Sequence, residues 1–211
     1  VKNFARYNGP LNSGDTTPLR VITVFSGSAD SLDEGYIQGA WRCGACLALR
    51  GITLVYGAGK TGLMGAVADG ALACKGEVIG VINDGLNTPA LAHADLTRLE
   101  VFQDLAQRKA RMLSLAEGFI CLPGGFGTFD ELFEALTLAQ LGVHHKPIGL
   151  LNLQHYFDPL FGLIDHSIHE HFIYPEHREL FVCADDADKL IDLMQTYQPP
   201  QNLNRWVERP S

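Results

Sequence analysis

Two glycine-rich segments and one basic pair hold the residue types in this chain that could do chemistry. The more specific segment runs Pro123-Gly124-Gly125-Phe126-Gly127-Thr128-Phe129-Asp130-Glu131. It follows an apolar run and opens a helical pattern, so backbone amides at a helix start would face an anion there. Gly124, Gly125 and Gly127 stand close together, and such a loop, costly in conformational entropy, is useful chiefly where backbone must touch a ligand. Glu131 is then the acidic group beside that cradle. A structural reading competes with this one. Thr128 and Glu131 have the T-x-x-E spacing of a capping box, which would tie the carboxylate to the helix's own first amides. Asp130 suits the helix dipole equally well.

The second segment is Gly57-Ala58-Gly59-Lys60-Thr61-Gly62, with Gly65 close behind. It fits G-x-G-x-x-G, which would let Gly57 and Gly59 approach a phosphate. The competing reading is a tight turn that packs helix on strand. A P-loop would need glycine where Leu54 stands. A dinucleotide fold would need an acidic residue ending the next strand, about 20 residues on; Glu77 opens its strand instead, and Asp84 lies further away. Third comes Gln107-Arg108-Lys109-Ala110-Arg111. Arg108 and Arg111 share a helix face, and a solvated basic face is the plain reading. Yet Arg108 and Glu131 each sit about one turn into consecutive helices. If their strands are neighbours, both reach one crevice, where a guanidinium fork holds a phosphate or base while the carboxylate works on a sugar.

The elements that would position these groups follow from alternation of short β-rich runs with longer amphipathic ones. Strands are expected over 20–25, 52–56, 78–82, 96–102, 118–122, 147–151 and 180–183. Helices are expected over 35–50, 63–75, 105–117, 128–141, 156–169 and 185–197. This pattern implies βαβ units and a Rossmann-like, doubly wound parallel sheet in a three-layer α/β/α arrangement. In such sheets ligands bind at the carboxyl edge, near the point where strand order reverses. Residues 20–198 make one nucleotide-binding domain, with 1–19 a loose, polar arm and 199–211 a tail.

Composition narrows the partner. The 211 residues are 46% hydrophobic with a formal charge of −8. That suits one globular domain and argues against nucleic acid, whose binding faces are basic; a single nucleotide needs only a local positive pocket. No run reaches the ~18 apolar residues of a membrane span. Five cysteines without framework spacing point to reduced thiols in the cytoplasm. Cys43 and Cys46 have redox or metal-ligand spacing, but inside an apolar helical pattern they read as small core residues. His166, His169 and His171 lie on a late helix without a supporting cysteine or carboxylate pattern, so no metal site is expected. His144 and His145 follow Gly142, where histidine can cap a helix C-terminus.

With those residues in place, Pro123–Glu131 resembles the PGGxGTxxE signature of the LOG family, the cytokinin riboside 5′-monophosphate phosphoribohydrolases, long labelled lysine decarboxylase-like. The similarity covers roughly residues 21–183. It includes Ser26-Gly27-Ser28 after the first strand, the Gly57–Gly65 loop, Arg108-Lys109, and the stretches 140–144 and 146–152. The resemblance implies a Rossmann-like dimer or higher homo-oligomer with active sites near the subunit interface. It implies hydrolysis of AMP or an N6-modified AMP to free base and ribose 5-phosphate, with no metal or redox cofactor. It makes Arg108 and Glu131 the catalytic pair. Lys109, Gly125, Phe126, Gly127, Thr128, Phe129, Asp130 and Thr137 become nucleotide-contacting positions, joined by Ser26, Gly27, Ser28 and Gly124.

This chain departs from the family at Leu138, where many members carry tryptophan, at Asp130 for glutamate and at Phe126 for tyrosine. Residues 91–99 hold His93 and Asp95 but no clear match to the family's ligand-contacting glutamate. A non-catalytic carrier of a nucleotide-like group such as the molybdenum cofactor is the alternative on the same fold. A dinucleotide oxidoreductase is weakened by the missing acidic partner. Lysine decarboxylation lacks a pyridoxal-anchoring lysine, since Lys60 falls where phosphate is expected.

Overall fold

The computed structural model describes residues 18–201 and 203. The expected arm over 1–19 and tail over 199–211 therefore fall almost entirely outside the described residues. Among the described residues, seven strands form one parallel sheet: β1 (Val21–Phe25), β2 (Thr53–Tyr56), β3 (Val78–Asn83), β4 (Arg98–Phe102), β5 (Gly118–Cys121), β6 (Ile148–Leu151) and β7 (Val182–Ala184). Six α-helices of the described residues alternate with them: α1 (Glu34–Leu49), α2 (Gly62–Ala73), α3 (Leu105–Leu115), α4 (Phe126–Gln140), α5 (Asp158–His169) and α6 (Ala187–Gln195). Every expected strand and helix is present. Aspartates fix several helix starts: Asp33 caps α1, Asp186 caps α6, and the Asp104 carboxylate accepts the Ala106 amide at 2.6 Å.

Strand residues alternate between two cores, as the two-residue period requires. Ile22 and Val24 of β1 and Ile120 of β5 join α1, α2 and α6 on one face. Phe25, Phe119 and Cys121 join α3, α4 and α5 on the other. The result is the three-layer architecture.

The order across the sheet is β4-β3-β2-β1-β5-β6-β7. The chain first winds outward from β1 to β4, then returns to β5 on the other side of β1. Strand order therefore reverses between β1 and β5, and the loops after these strands flank the switch point. This order corrects one expectation. The strands preceding Arg108 and Glu131 are β4 and β5, and they are not neighbours. What brings the two residues together is α3, which crosses from the sheet edge and packs on β3, β2 and β1.

The Cys43–Cys46 spacing has a packing explanation. Both thiols are buried, and burial pushes both up to about 12, so neither is a ready nucleophile or metal ligand. Between them, Gly44 lets α1 touch α2: a Cβ there would stand 1.9 Å from the Val67 carbonyl oxygen. Gly70 answers from α2, where a Cβ would stand 2.0 Å from the Trp41 carbonyl oxygen. Gly70→Ala is expected to force the two helices apart and to cost about 1–3 kcal/mol. A denaturant midpoint lowered with an unchanged slope checks it; an unaltered midpoint refutes it.

Candidate active site

Two loops meet backbone to backbone at the switch point. The Gly27 amide donates to the Pro123 carbonyl at 3.0 Å. A Cβ on Gly27 would lie 3.0 Å from Gly124 Cα, and one on Gly124 only 2.1 Å from Thr128 Oγ1. Glycine at 27 and 124 thus permits the approach of the loops. Gly125 and Gly127 differ: a Cβ on either meets nothing within 4 Å. They face open space, and the first amides of α4 have no partner within their own helix.

Beside these loops lies a cavity of about 440 Å³, a size suited to a small ligand. Its wall includes Ser26, Gly27, Ser28, Arg108, Gly124, Gly125, Gly127, Thr128 and Glu131. The Ser26 hydroxyl is buried there with no hydrogen-bond partner among the described residues.

The capping-box reading of Glu131 fails on geometry. Helix α4 begins at Phe126 with Gly125 as its N-cap and no side-chain capping bond. Glu131 therefore sits past the first turn, and its carboxylate is not tied to the helix start. It meets Arg108 instead, whose Nη1 donates to Glu131 Oε1 at 3.2 Å while Nε donates to the Val81 carbonyl at 2.8 Å. Arg108 is 9% exposed and Glu131 8%. Burial raises the Glu131 carboxyl above the ordinary carboxylate range, and the charge and hydrogen bond of Arg108 pull the other way. With Nε and Nη1 so engaged, Arg108 orients the carboxylate; its bonds are not those of a free phosphate fork.

Other expected site residues fall elsewhere. Gly57 and Gly59 do not line the cavity. Gly57 leaves room for Arg108, whose Nη2 would be 2.5 Å from a Cβ there, and Gly59 packs on Met64. Gly62, at φ 57°, brings its loop against Ser28 and Ala29, while the Met64 amide donates to the Gly27 carbonyl and Thr61 Oγ1 to that of Ser28. The whole segment buttresses the loop after β1. Lys60 Nζ donates to the Pro89 carbonyl and does not line the cavity. Lys109 pairs with Asp130 at 2.8 Å and Glu134 at 2.9 Å, linking α3 to α4 outside the cavity. Phe126 is 95% exposed. Phe129 lies in a separate apolar groove, and Thr137 is exposed further along α4.

His144 does not cap the last turn; its Nε2 reaches the Ala135 carbonyl, and burial lowers its pKa to about 4. His166 and His169 end α5, remote from the cavity.

Residues that motif reading passed over complete the wall. Leu32, Tyr36, Leu63 and Met64 form an apolar side, and Tyr156 stands beside the start of α4. Tyr36 and Tyr156 both follow strands at the carboxyl edge, so the edge rule was the signal that could have found them.

An open parallel sheet with a cavity and amide-rich helix start at its switch point defines an α/β protein of Rossmann type, with a candidate ligand site at the carboxyl edge of its strands. A family model described as "Possible lysine decarboxylase" matches residues 64–194. The chain is 41% identical over 182 residues to a probable cytokinin riboside 5′-monophosphate phosphoribohydrolase of Oryza sativa subsp. japonica, covering 86% of this chain and 74% of that one. It is equally 41% identical over 181 residues to a cytokinin riboside 5′-monophosphate phosphoribohydrolase of Arabidopsis thaliana, covering 86% and 84%. The chain belongs to this family, the LOG family. Among solved structures, the molybdenum cofactor binding protein of Rippkaea orientalis superposes with a TM-score of 0.64 at 20% identity, over 84% of this chain and 96% of that one. The molybdenum cofactor carrier protein of Chlamydomonas reinhardtii does so at 0.64 and 21%, over 84% and 97%. These two share the fold.

The glycines supply a paired prediction. Gly125→Ala has space and a negative φ, so it should leave the thermal midpoint within about 1 °C while weakening anion binding. Gly124→Ala should lower the midpoint, since overpacking costs about 1–3 kcal/mol. Equal melting of the two variants would show that the loop contact does not discriminate between them.

Proposed function

We propose that this protein hydrolyses the N-glycosidic bond of a nucleoside 5′-monophosphate, AMP or an N6-modified AMP, releasing free base and ribose 5-phosphate. The observation that carries the reading is the buried Arg108–Glu131 pair in the wall of a cavity shared with the α4 N-terminus. Its family membership and the names of its relatives support the same chemistry.

Cleavage between C1′ and the base nitrogen builds oxocarbenium character on the ribose. A fixed carboxylate beside that carbon stabilises it and positions or deprotonates the attacking water. The water oxygen bonds to C1′, and the bonding electrons leave with the base, which takes a proton. Held by Arg108, Glu131 waits in its reactive orientation. The open amides at the α4 start, with Gly27, Ser28 and the unpaired Ser26 hydroxyl, are suited to the phosphate and sugar oxygens. Binding of those remote groups would orient the reacting centre.

Among the described residues no lysine lines the cavity, so the chemistry of the family description, which would anchor pyridoxal on lysine, has no support in the site. We extend the proposal to a homodimer, as the family resemblance implies. The apolar groove of Phe129, Phe133, Phe157, Leu160 and Leu163 would be its covered face, and Leu163→Glu should shift sedimentation toward monomer. Five unpaired thiols support a reducing compartment, proposed as the cytoplasm. Among the described residues, no helix is long and apolar enough to cross a membrane.

Incubation with AMP and N6-isopentenyl-AMP, followed by separation of products, tests the reaction: free base and ribose 5-phosphate are expected. Binding without release would favour the carrier reading. Glu131→Gln should lower kcat by roughly 10²–10⁴-fold with ligand affinity largely kept. Because burial raises the Glu131 pKa, the carboxylate exists only at higher pH than in an ordinary glutamate. Activity should be full above that raised pKa and fall as pH drops through it. The acid limb of kcat/KM should thus lie above about 4.3; a limb at or below that value would remove Glu131 from the role.

A further inference from the structure

We propose that Tyr156 is a positioning residue that sets the direction of the Gly124–Gly125 peptide, and thereby pre-orders the anion cradle at the start of α4. The inference rests on the phosphoribohydrolase reading for its substrate and on geometry for the rest. Tyr156 lies after β6, a third strand end beside the two glycine loops. Its hydroxyl donates to the Gly124 carbonyl at 2.5 Å, and its ring forms part of both the catalytic cavity and the apolar groove.

In a planar trans peptide the carbonyl and the following N–H point to opposite sides. Fixing the Gly124 carbonyl therefore fixes the direction of the Gly125 N–H. Without that anchor, a loop with glycine at 124, 125 and 127 would sample many orientations. Ordering it before the ligand arrives removes a cost that binding would otherwise carry.

The approach of Tyr156 is itself heavily determined. The two residues before it, Gln154 at φ 48° and His155 at φ 61°, both occupy left-handed backbone without being glycine. Such conformations persist only where the surroundings over-determine them, and they cluster at functional sites. Here Gln154 Nε2 donates to Asp33 Oδ1 at 2.7 Å, the same carboxylate oxygen that caps α1. Asn152 locks the far side: its Oδ1 accepts the Phe157 amide and its Nδ2 donates to Asp158, each at 2.7 Å. The ring is then held edge-on by Tyr36 at 6.1 Å and Phe157 at 5.2 Å. A turn wired to α1 and α5 and strained at consecutive positions delivers one hydroxyl to one carbonyl of the cradle.

Tyr156→Phe removes only that hydroxyl and keeps the ring packing, so the test compares this variant with the unaltered protein. Expected are a roughly tenfold rise in KM for AMP and in the Kd of ribose 5-phosphate, kcat within about threefold, and unchanged affinity for free adenine. A merely structural loss would lower adenine affinity and the thermal midpoint together, and would overturn the assignment. So would unchanged ribose 5-phosphate affinity in the variant, or absence of ribose 5-phosphate binding in the unaltered protein. Weakened ribose 5-phosphate binding alongside no AMP turnover by the unaltered protein would uphold Tyr156 and reject the hydrolase reading instead. The two failures are therefore separable.

Discussion

A carboxylate taken out of water needs positive charge or donors beside it, and much of this molecule is arranged around meeting that need for Glu131. The guanidinium that meets it comes from the helix after the edge strand β4, so α3 must run back across β3, β2 and β1 to deliver Arg108. Gly57 must lack a side chain to admit it, and the Val81 carbonyl must hold its Nε. Lys109, one residue on, ties the same helix to α4 through Asp130 and Glu134. These contacts serve one end: a buried acid held still, with burial and the arginine pulling its proton affinity in opposite directions.

The glycines divide by what surrounds them. Gly27 and Gly124 are fixed by backbone approach, Gly62 by its positive φ, and Gly57 by the arginine beside it. Gly125 and Gly127 alone in the two site loops have open space where a side chain would be. A motif written as a string of glycines gives all of them the same weight. The physical distinction is between a glycine that makes room for protein and one that leaves room for something else.

Relatives named as phosphoribohydrolases and neighbours named as molybdenum cofactor carriers show how one sheet serves several ends. The switch point and amide-rich loop belong to the fold and suit any phosphorylated ligand. Which side chains stand beside them is a separate matter, and in this chain the buried acid is a single helix residue steadied by an arginine from another helix. Function on such a scaffold is decided by side chains at the rim, and in this chain two tyrosines stand in the cavity wall.

By itself the sequence determined the element pattern, the parallel sheet and the two loops at its carboxyl edge, because periodicity and glycine placement are local properties that neighbouring residues enforce. It also brought Arg108 and Glu131 forward as a pair, through residue type and position one turn into a helix, and through the family signature. Only the tertiary structure decided the strand order, which separates β4 from β5 and makes the helix crossing the means of pairing them. It alone moved the start of α4 back to Phe126, freeing Glu131 from a capping role that its spacing equally allowed. It alone made the Gly57–Gly65 loop a buttress and placed Tyr36 and Tyr156 in the wall. Those outcomes depend on which distant segments pack together, and a spacing rule carries information only about the residues within its own span.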